Sequence, residues 1–298
     1  MKVVLFGKGG QVGWELQRSL ATIGDLIALD FDSTDFHADF SRPAQLAETV
    51  RALRPDVIVN AAAHTAVDKA ESEPEFAATL NAEAPRVLAE QAKALGAWLV
   101  HYSTDYVFDG SGSSARSEDA PTGPLSVYGR TKLDGENHIR ASGCAHLIFR
   151  TSWVYAARGG NFARTMIRLA GERDALSVID DQVGAPTGAE LLADVTAHAI
   201  HACRSNPALG GTYHAVAGGQ TNWCDYARFV IDWARANGLP IKVAADALTP
   251  VPTSGYPTPA KRPLNSRLDT HKLRDTFNIA LPDWHVGVTR MLMEAYAK

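Results

Sequence analysis

Two spacings in this chain have the makings of chemistry. Tyr128-Gly129-Arg130-Thr131-Lys132 sets a phenol and an ammonium at i and i+4, on one face of any helix that carries them. A free tyrosine titrates at roughly 10, too high for an efficient proton donor at neutral pH, and a fixed cation beside it draws the phenol toward the working range. The same lysine can reach a hydroxyl of a bound cofactor. Ser103-Thr104, upstream, adds hydroxyls where a strand should end. The second spacing is Gly7-Lys8-Gly9-Gly10-Gln11-Val12-Gly13. Gly7 turns the chain out of a strand, Gly10 lets backbone approach a pyrophosphate, and Gly13 lets the next helix pack against the strand. The start of that helix offers unpaired N–H groups and a partial positive charge to phosphates. A glycine-rich turn alone also serves as a plain strand–helix connection. Asp30, at the end of the second strand, favours the dinucleotide reading, because a carboxylate there accepts from ribose hydroxyls. It would also repel a 2′-phosphate, but Lys8 and Arg42 are near enough in sequence to compensate, so NAD and NADP both stay open. Asp39-Phe40 falls where an adenine-edge loop should begin.

These residues need a frame. Apolar runs at 2–7, 26–30, 56–61, 98–103 and 146–151 read as strands, and helical patterns fall between them at 12–23, 44–53, 74–95 and 127–141. Nearly continuous apolar strands fit a parallel sheet covered on both faces, so the alternation predicts an α/β fold with a Rossmann-type, doubly wound parallel sheet. After Thr151 the rhythm changes: helices are expected at 161–171, 189–203 and 223–236, and a strand at 212–216. Pro250, Pro252, Pro257, Pro259 and Pro263 mark a stretch with little regular structure, of the kind that lies over a site. We therefore expect a dinucleotide-binding domain over 1–150 and a smaller, mainly substrate-binding lobe over 151–298. Parts of the lobe, about 172–218, should return to the first domain, and the ligand cleft should lie between the two.

Composition narrows the class. With 298 residues, 46% hydrophobic and 21% charged, and a net charge of −4, the chain has an ordinary globular balance and no general attraction for nucleic acid or an acidic membrane. No apolar run is long enough for a transmembrane helix, and the N-terminal run is too short for a signal-peptide core. Cys144, Cys203 and Cys224 form neither a disulfide framework nor a CxxC pair, which fits reduced thiols in a cytoplasmic protein. His198 and His201 share a helix face but have no third ligand in view.

The glycine trio, Thr104 and Tyr128…Lys132 resemble the extended short-chain dehydrogenase/reductase family. Longer strings, Asn60 to Glu71, Ser103 to Gly110, Arg150 to Tyr155 and Arg262 to Leu268, are similar to its branch that reduces 4-keto sugar nucleotides. The likeness runs essentially end to end; His64 stands where many members have Tyr. It implies reduction of the C4 ketone of dTDP-6-deoxy-L-lyxo-4-hexulose with NADPH or NADH. In that scheme Tyr128 is the proton donor, Lys132 supports its phenolate, and Thr104 hydrogen-bonds the reacting oxygen. It also implies a cofactor site at Gly7, Gly10, Gln11, Val12, Gly13, Asp30, Asp39, Phe40, Ala63, His64, Thr65, Tyr128 and Lys132. The dTDP-sugar would meet Thr104, Asp105 and Trp153, with Arg262 on the diphosphate, though Lys261 and Arg267 compete for that role. Some members are homodimers with Mg²⁺ at interface carboxylates, and Glu15, Glu190 and Glu294 fall at the matching places. A related epimerase, or a non-catalytic NADP-binding regulatory subunit, is the alternative; a dehydratase fits less well, because Tyr106 follows Thr104-Asp105 where those enzymes place Glu.

Overall fold

The computed structural model describes residues 1–296; the final two residues of the expected lobe lie outside the described ones. β1 (Lys2–Phe6), β2 (Asp25–Leu29), β3 (Val57–Asn60), β4 (Trp98–Thr104), β5 (Ala145–Thr151) and a sixth strand, Gly211–His214, form one parallel sheet. Across it the order is sixth strand, β5, β4, β3, β1, β2. The order reverses between β3 and β1, the point where such sheets open a crevice. Phe6 pairs with both Leu29 and Asn60, and Thr104 pairs with Thr151. The residues just beyond these pairs, Gly7, Asp30, Ala61, Asp105 and Ser152, therefore leave the sheet along one edge. The glycine turn and the Ser103-Thr104 hydroxyls are neighbours for that reason.

The sheet is buried on both sides, which is why its strands read as unbroken apolar runs. Val3 and Leu5 face Leu16 and Leu20 of α1 (Gln11–Leu20) and Leu192 of helix Ala189–Ser205. Val4 and Phe6 face Leu46 and Val50 of α2 (Pro43–Leu53) and Leu88 of helix Ala84–Leu95. Helix Val127–Ser142 is capped by Ser126, whose hydroxyl accepts from the Gly129 N–H at 3.2 Å. Gly129 packs so closely on the turn after β4 that a Cβ there would sit 2.3 Å from the Tyr106 carbonyl oxygen.

One expected helix is interrupted. The 74–95 pattern folds as Pro74–Ala78, a π-helical turn at Thr79–Glu83, and Ala84–Leu95. The wide turn carries Asn81 inward, fully buried, where its carboxamide accepts from the His64 N–H at 2.8 Å and donates to the His64 carbonyl and Thr131 Oγ1, each at 3.1 Å. Such turns recur near functional sites. Here it ties the loop after β3 to the helix bearing Tyr128.

Helices Phe162–Glu172, Trp223–Ala236 and Trp284–Tyr296 make the core of a second lobe, together with a parallel ribbon of Leu176–Ile179 and Leu248–Val251. Pro250 lies inside that ribbon, opposite Val178, so the proline-rich stretch begins as strand instead of loop. A two-stranded ribbon accepts the missing N–H because each strand has a free edge. Helices Ala189–Ser205 and His271–Phe277 pack with the first domain: Leu192, Leu273 and Phe277 join the core beneath the sheet. After the ribbon, the chain crosses back over the strand ends. A Cβ on Gly110 would come within 2.5 Å of Pro263, and the Asn265 N–H donates to the Gly110 carbonyl at 3.0 Å.

Candidate active site

A cavity of about 730 Å³ opens where the strand ends meet the second lobe. At one end Gly7 adopts φ +85°, and a Cβ on Gly13 would stand 1.8 Å from the Gly7 carbonyl oxygen, so this tight turn demands glycine at both positions. No side chain caps α1, leaving the N–H groups of its first residues turned toward the cavity, and Gln11 Oε1 is buried there without a partner. A phosphate-bearing dinucleotide fits this cradle. Asp30 lies on the rim, but its carboxylate already accepts from the Gly9 N–H at 2.7 Å and the Phe31 N–H at 2.9 Å. Asp39 likewise holds its own turn, accepting from the Ser41 N–H at 2.9 Å and hydroxyl at 2.7 Å. Phe40, Ala63 and Thr65 complete this end with Gly10 and Val12. His64 does not line the cavity; its ring stands edge-on to Phe76 and 3.8 Å from Glu73.

Mid-cavity, Tyr128, Lys132, Thr104 and Asp105 converge. Burial pushes the Tyr128 phenol up to about 12; the nearby Thr104 hydroxyl favours the phenolate, and the Asp105 charge opposes it. The expected lowering of this phenol by Lys132 is not what the structure holds. The Lys132 ammonium donates to the Tyr102 carbonyl at 2.6 Å and lies 3.3 Å from His101 Nε2, and burial brings it down to about 8. Tyr128 is thus a neutral phenol at physiological pH, the form a proton donor needs. Asp105 is fully enclosed. Burial raises its carboxyl to about 6, offset in part by the hydroxyls of Ser266 and Thr104, and its Oδ2 faces no hydrogen-bond partner. Thr104 Oγ1 donates to the other carboxylate oxygen at 3.0 Å.

The far end is aromatic. Trp153 follows β5 with φ +49°, a backbone region costly for a bulky residue, and its indole stacks on Trp223 with centroids 3.7 Å apart at 19°. Gly184 sits tightly under that ring: a Cβ there would be 3.0 Å from it. Arg262 lies outside the cavity lining and is clamped by Asp68 at 2.8 and 3.1 Å, which holds the Asp68 carboxyl below the usual carboxylate range. Arg267 bonds Gln220 at 2.6 Å. Burial raises the Glu190 carboxyl; the Glu15 and Glu294 charges add to the rise and that of Arg290 opposes it. Among the described residues no three ligating groups stand close enough to hold a metal.

Residues 1–297 match the family model described as RmlD substrate binding domain. The chain is 61% identical to the dTDP-4-dehydrorhamnose reductase of Salmonella typhimurium and 59% identical to that of Escherichia coli K12, covering 99% of this chain and 98% of each relative. A solved dTDP-4-dehydrorhamnose reductase from Bacillus anthracis, in complex with NADP, superposes with TM-score 0.88 at 33% identity, over 98% of this chain and 99% of that one. The chain belongs to the dTDP-4-dehydrorhamnose reductase family.

Within this reductase framework several cavity residues lie outside the expected set of site residues. Trp223 comes from the second lobe, and Tyr106 meets Tyr128 edge-on with centroids 5.4 Å apart. Thr151 Oγ1 and Ser103 Oγ are buried without partners. The sequence singles out Ser103 with Thr104 at a strand end; Thr151 is marked only by its place in the Arg150 to Tyr155 string, at the end of β5.

Proposed function

We propose that this chain reduces the C4 ketone of dTDP-6-deoxy-L-lyxo-4-hexulose, using NADPH or NADH, with Tyr128 as the proton donor. The observation that carries the reading is a buried neutral phenol beside Thr104, in a cavity with a dinucleotide cradle at one end and stacked indoles at the other. The reduced nicotinamide, when bound, supplies hydride to the ketone carbon. The chain's own part is to position that carbon, protonate its oxygen from Tyr128, and stabilise the developing charge with the Thr104 hydroxyl. Lys132, one turn further along the same helix, is then the proton source that restores the phenol. Trp153 presents an apolar face suited to the deoxy-sugar, and Asp105 Oδ2 is free to meet a sugar hydroxyl.

The test is oxidation of NADPH and of NADH followed by absorbance, with the 4-keto sugar nucleotide formed in situ as the dTDP and the UDP derivative. Tyr128→Phe should lower turnover by roughly 10²–10⁴-fold while leaving cofactor affinity intact. Near wild-type turnover from that variant would remove Tyr128 from the scheme, and no oxidation by the wild type would favour a binding module.

The reading extends to a cytoplasmic homodimer, with Glu15, Glu190 and Glu294 meeting Mg²⁺ at the interface. No helix among the described residues is long and apolar enough to cross a membrane, and all three cysteines are buried and free. The Glu15 and Glu294 charges felt at Glu190 motivate the metal reading; the three carboxylates do not by themselves make a site, so the remaining ligands would have to come from the second copy. A chelator should then shift the gel-filtration profile toward monomer; an unchanged profile leaves these residues without a metal role.

A further inference from the structure

We propose that Asn60 and His101 are positioning residues for Lys132, joined in a hydrogen-bond chain whose polarity is set at the cofactor loop. The Ala62 N–H donates to Asn60 Oδ1 at 3.0 Å, which fixes how the carboxamide is turned. Asn60 Nδ2 therefore faces His101 Nδ1, at 3.0 Å. An amide nitrogen only donates, so Nδ1 must accept and the imidazole proton sits on Nε2. That nitrogen lies 3.3 Å from Lys132 Nζ, which also donates to the Tyr102 carbonyl at 2.6 Å.

The chain thus aims an N–H at the lysine nitrogen. An ammonium has no lone pair to receive it, whereas an amine does. Both residues are almost completely buried, so water cannot relieve the mismatch, and burial followed by the Lys132 charge keeps His101 neutral. The charged and titratable groups around Lys132 are His101 from β4, Asp105 from the turn after β4, which shares the cavity, and Tyr128 and Glu136 from its own helix. Glu136 favours the ammonium, but its carboxylate is shared with Arg150 at 2.7 and 2.9 Å and Arg140 at 2.9 Å. The chain starts at the glycine turn: a Cβ on Gly7 would stand 2.7 Å from the Ala62 nitrogen.

In turnover the chain stabilises the amine left when Lys132 passes a proton to the Tyr128 phenolate. One N–H bond breaks, one O–H bond forms, and the amine lone pair accepts the His101 Nε2–H until a proton entering from solvent through the cavity that Lys132 lines restores the ammonium. This kinetic consequence rests on the function proposed above; the tautomer does not.

The experiment reads both. Nitrogen-15 NMR of the ligand-free protein should show His101 as the neutral Nε2–H tautomer. In Asn60→Asp one carboxylate oxygen still accepts the Ala62 N–H, while the other accepts from Nδ1. The proton should move to Nδ1, and Nε2 should become an acceptor for the Lys132 ammonium. The alkaline midpoint of kcat against pH should then rise by roughly one unit, with KM for cofactor and sugar nucleotide unchanged. His101→Phe should also raise it, and His101→Gln, which can retain a donor near Nε2, should keep the wild-type midpoint. An Nδ1–H or doubly protonated ring in the wild type overturns the chain, and does so even if a variant fails to fold. A correct tautomer with coincident pH profiles for all three variants overturns its role toward Lys132.

Discussion

The end of the cavity where the proposed function places the dinucleotide is built on turns and a helix start, in short segments following β1, β2 and β3. Gly7, Gly13 and the exposed start of α1 make the cradle, while Asp30 spends its carboxylate on the N–H groups of Gly9 in the glycine turn and of Phe31, and Asp39 on that of Ser41 in its own loop. At the other end, where the proposed function places the sugar, the lining is side chains brought from widely separated parts of the chain: Asp105 after β4, Trp153 after β5 and Trp223 from the second lobe. Backbone recognition needs only permissive residues at set spacings, so one loop suffices. Shape recognition of a sugar face needs large rings held rigid, and these must be buttressed from both lobes.

Three variants press on this contrast. Gly13→Val drives a side chain into the Gly7 carbonyl and should weaken NADPH binding by about 100-fold, equivalent to the 1–3 kcal/mol typical of overpacking. Sugar-nucleotide affinity, measured by calorimetry, should hold; if both fall together, the two ends are not separable. Asp105→Asn removes a carboxyl that burial holds at about 6, against an ordinary value of 3.8. With the folded value raised, the aspartate's favourable contribution is full below pH 4 and is lost as pH climbs through 6. The variant should therefore be more stable than wild type by on the order of 2 kcal/mol at pH 7, with no difference near pH 4. A denaturant-midpoint difference independent of pH would contradict that environment for Asp105. Trp153→Ala has the smallest effect, raising KM for the sugar nucleotide by about tenfold, worth about 1.4 kcal/mol, with cofactor affinity unchanged. A loss of cofactor affinity instead would place the stacked indoles at the wrong end.

The dinucleotide end was legible because its logic is local. Gly7, Gly10 and Gly13 act within one turn, and Tyr128 and Lys132 share one helix face whatever surrounds them. The sugar end was not. Trp223 sits in an ordinary amphipathic helix, and nothing in that pattern says its ring will lie on Trp153. The Arg262 clamp on Asp68 joins the proline-rich segment to a distant short helix, Val67–Ala70, and the turn that carries Asn81 inward interrupts a pattern that reads as continuous helix. The proline-rich stretch was recognisable as a strap across the site, but its opening residues found a partner strand only because Leu176–Ile179 had a free edge.

The chain by itself determined the doubly wound sheet, the glycine cradle and the pairing of phenol with lysine, since each depends on periodicity or on residues a few positions apart. Tertiary structure decided how those groups behave. Burial, which no local pattern encodes, keeps Tyr128 protonated and lowers Lys132, and the closeness of β3 to β4 gives Lys132 Asn60 and His101 as neighbours. Spacing names the reacting groups; their protonation depends on what excludes water from them.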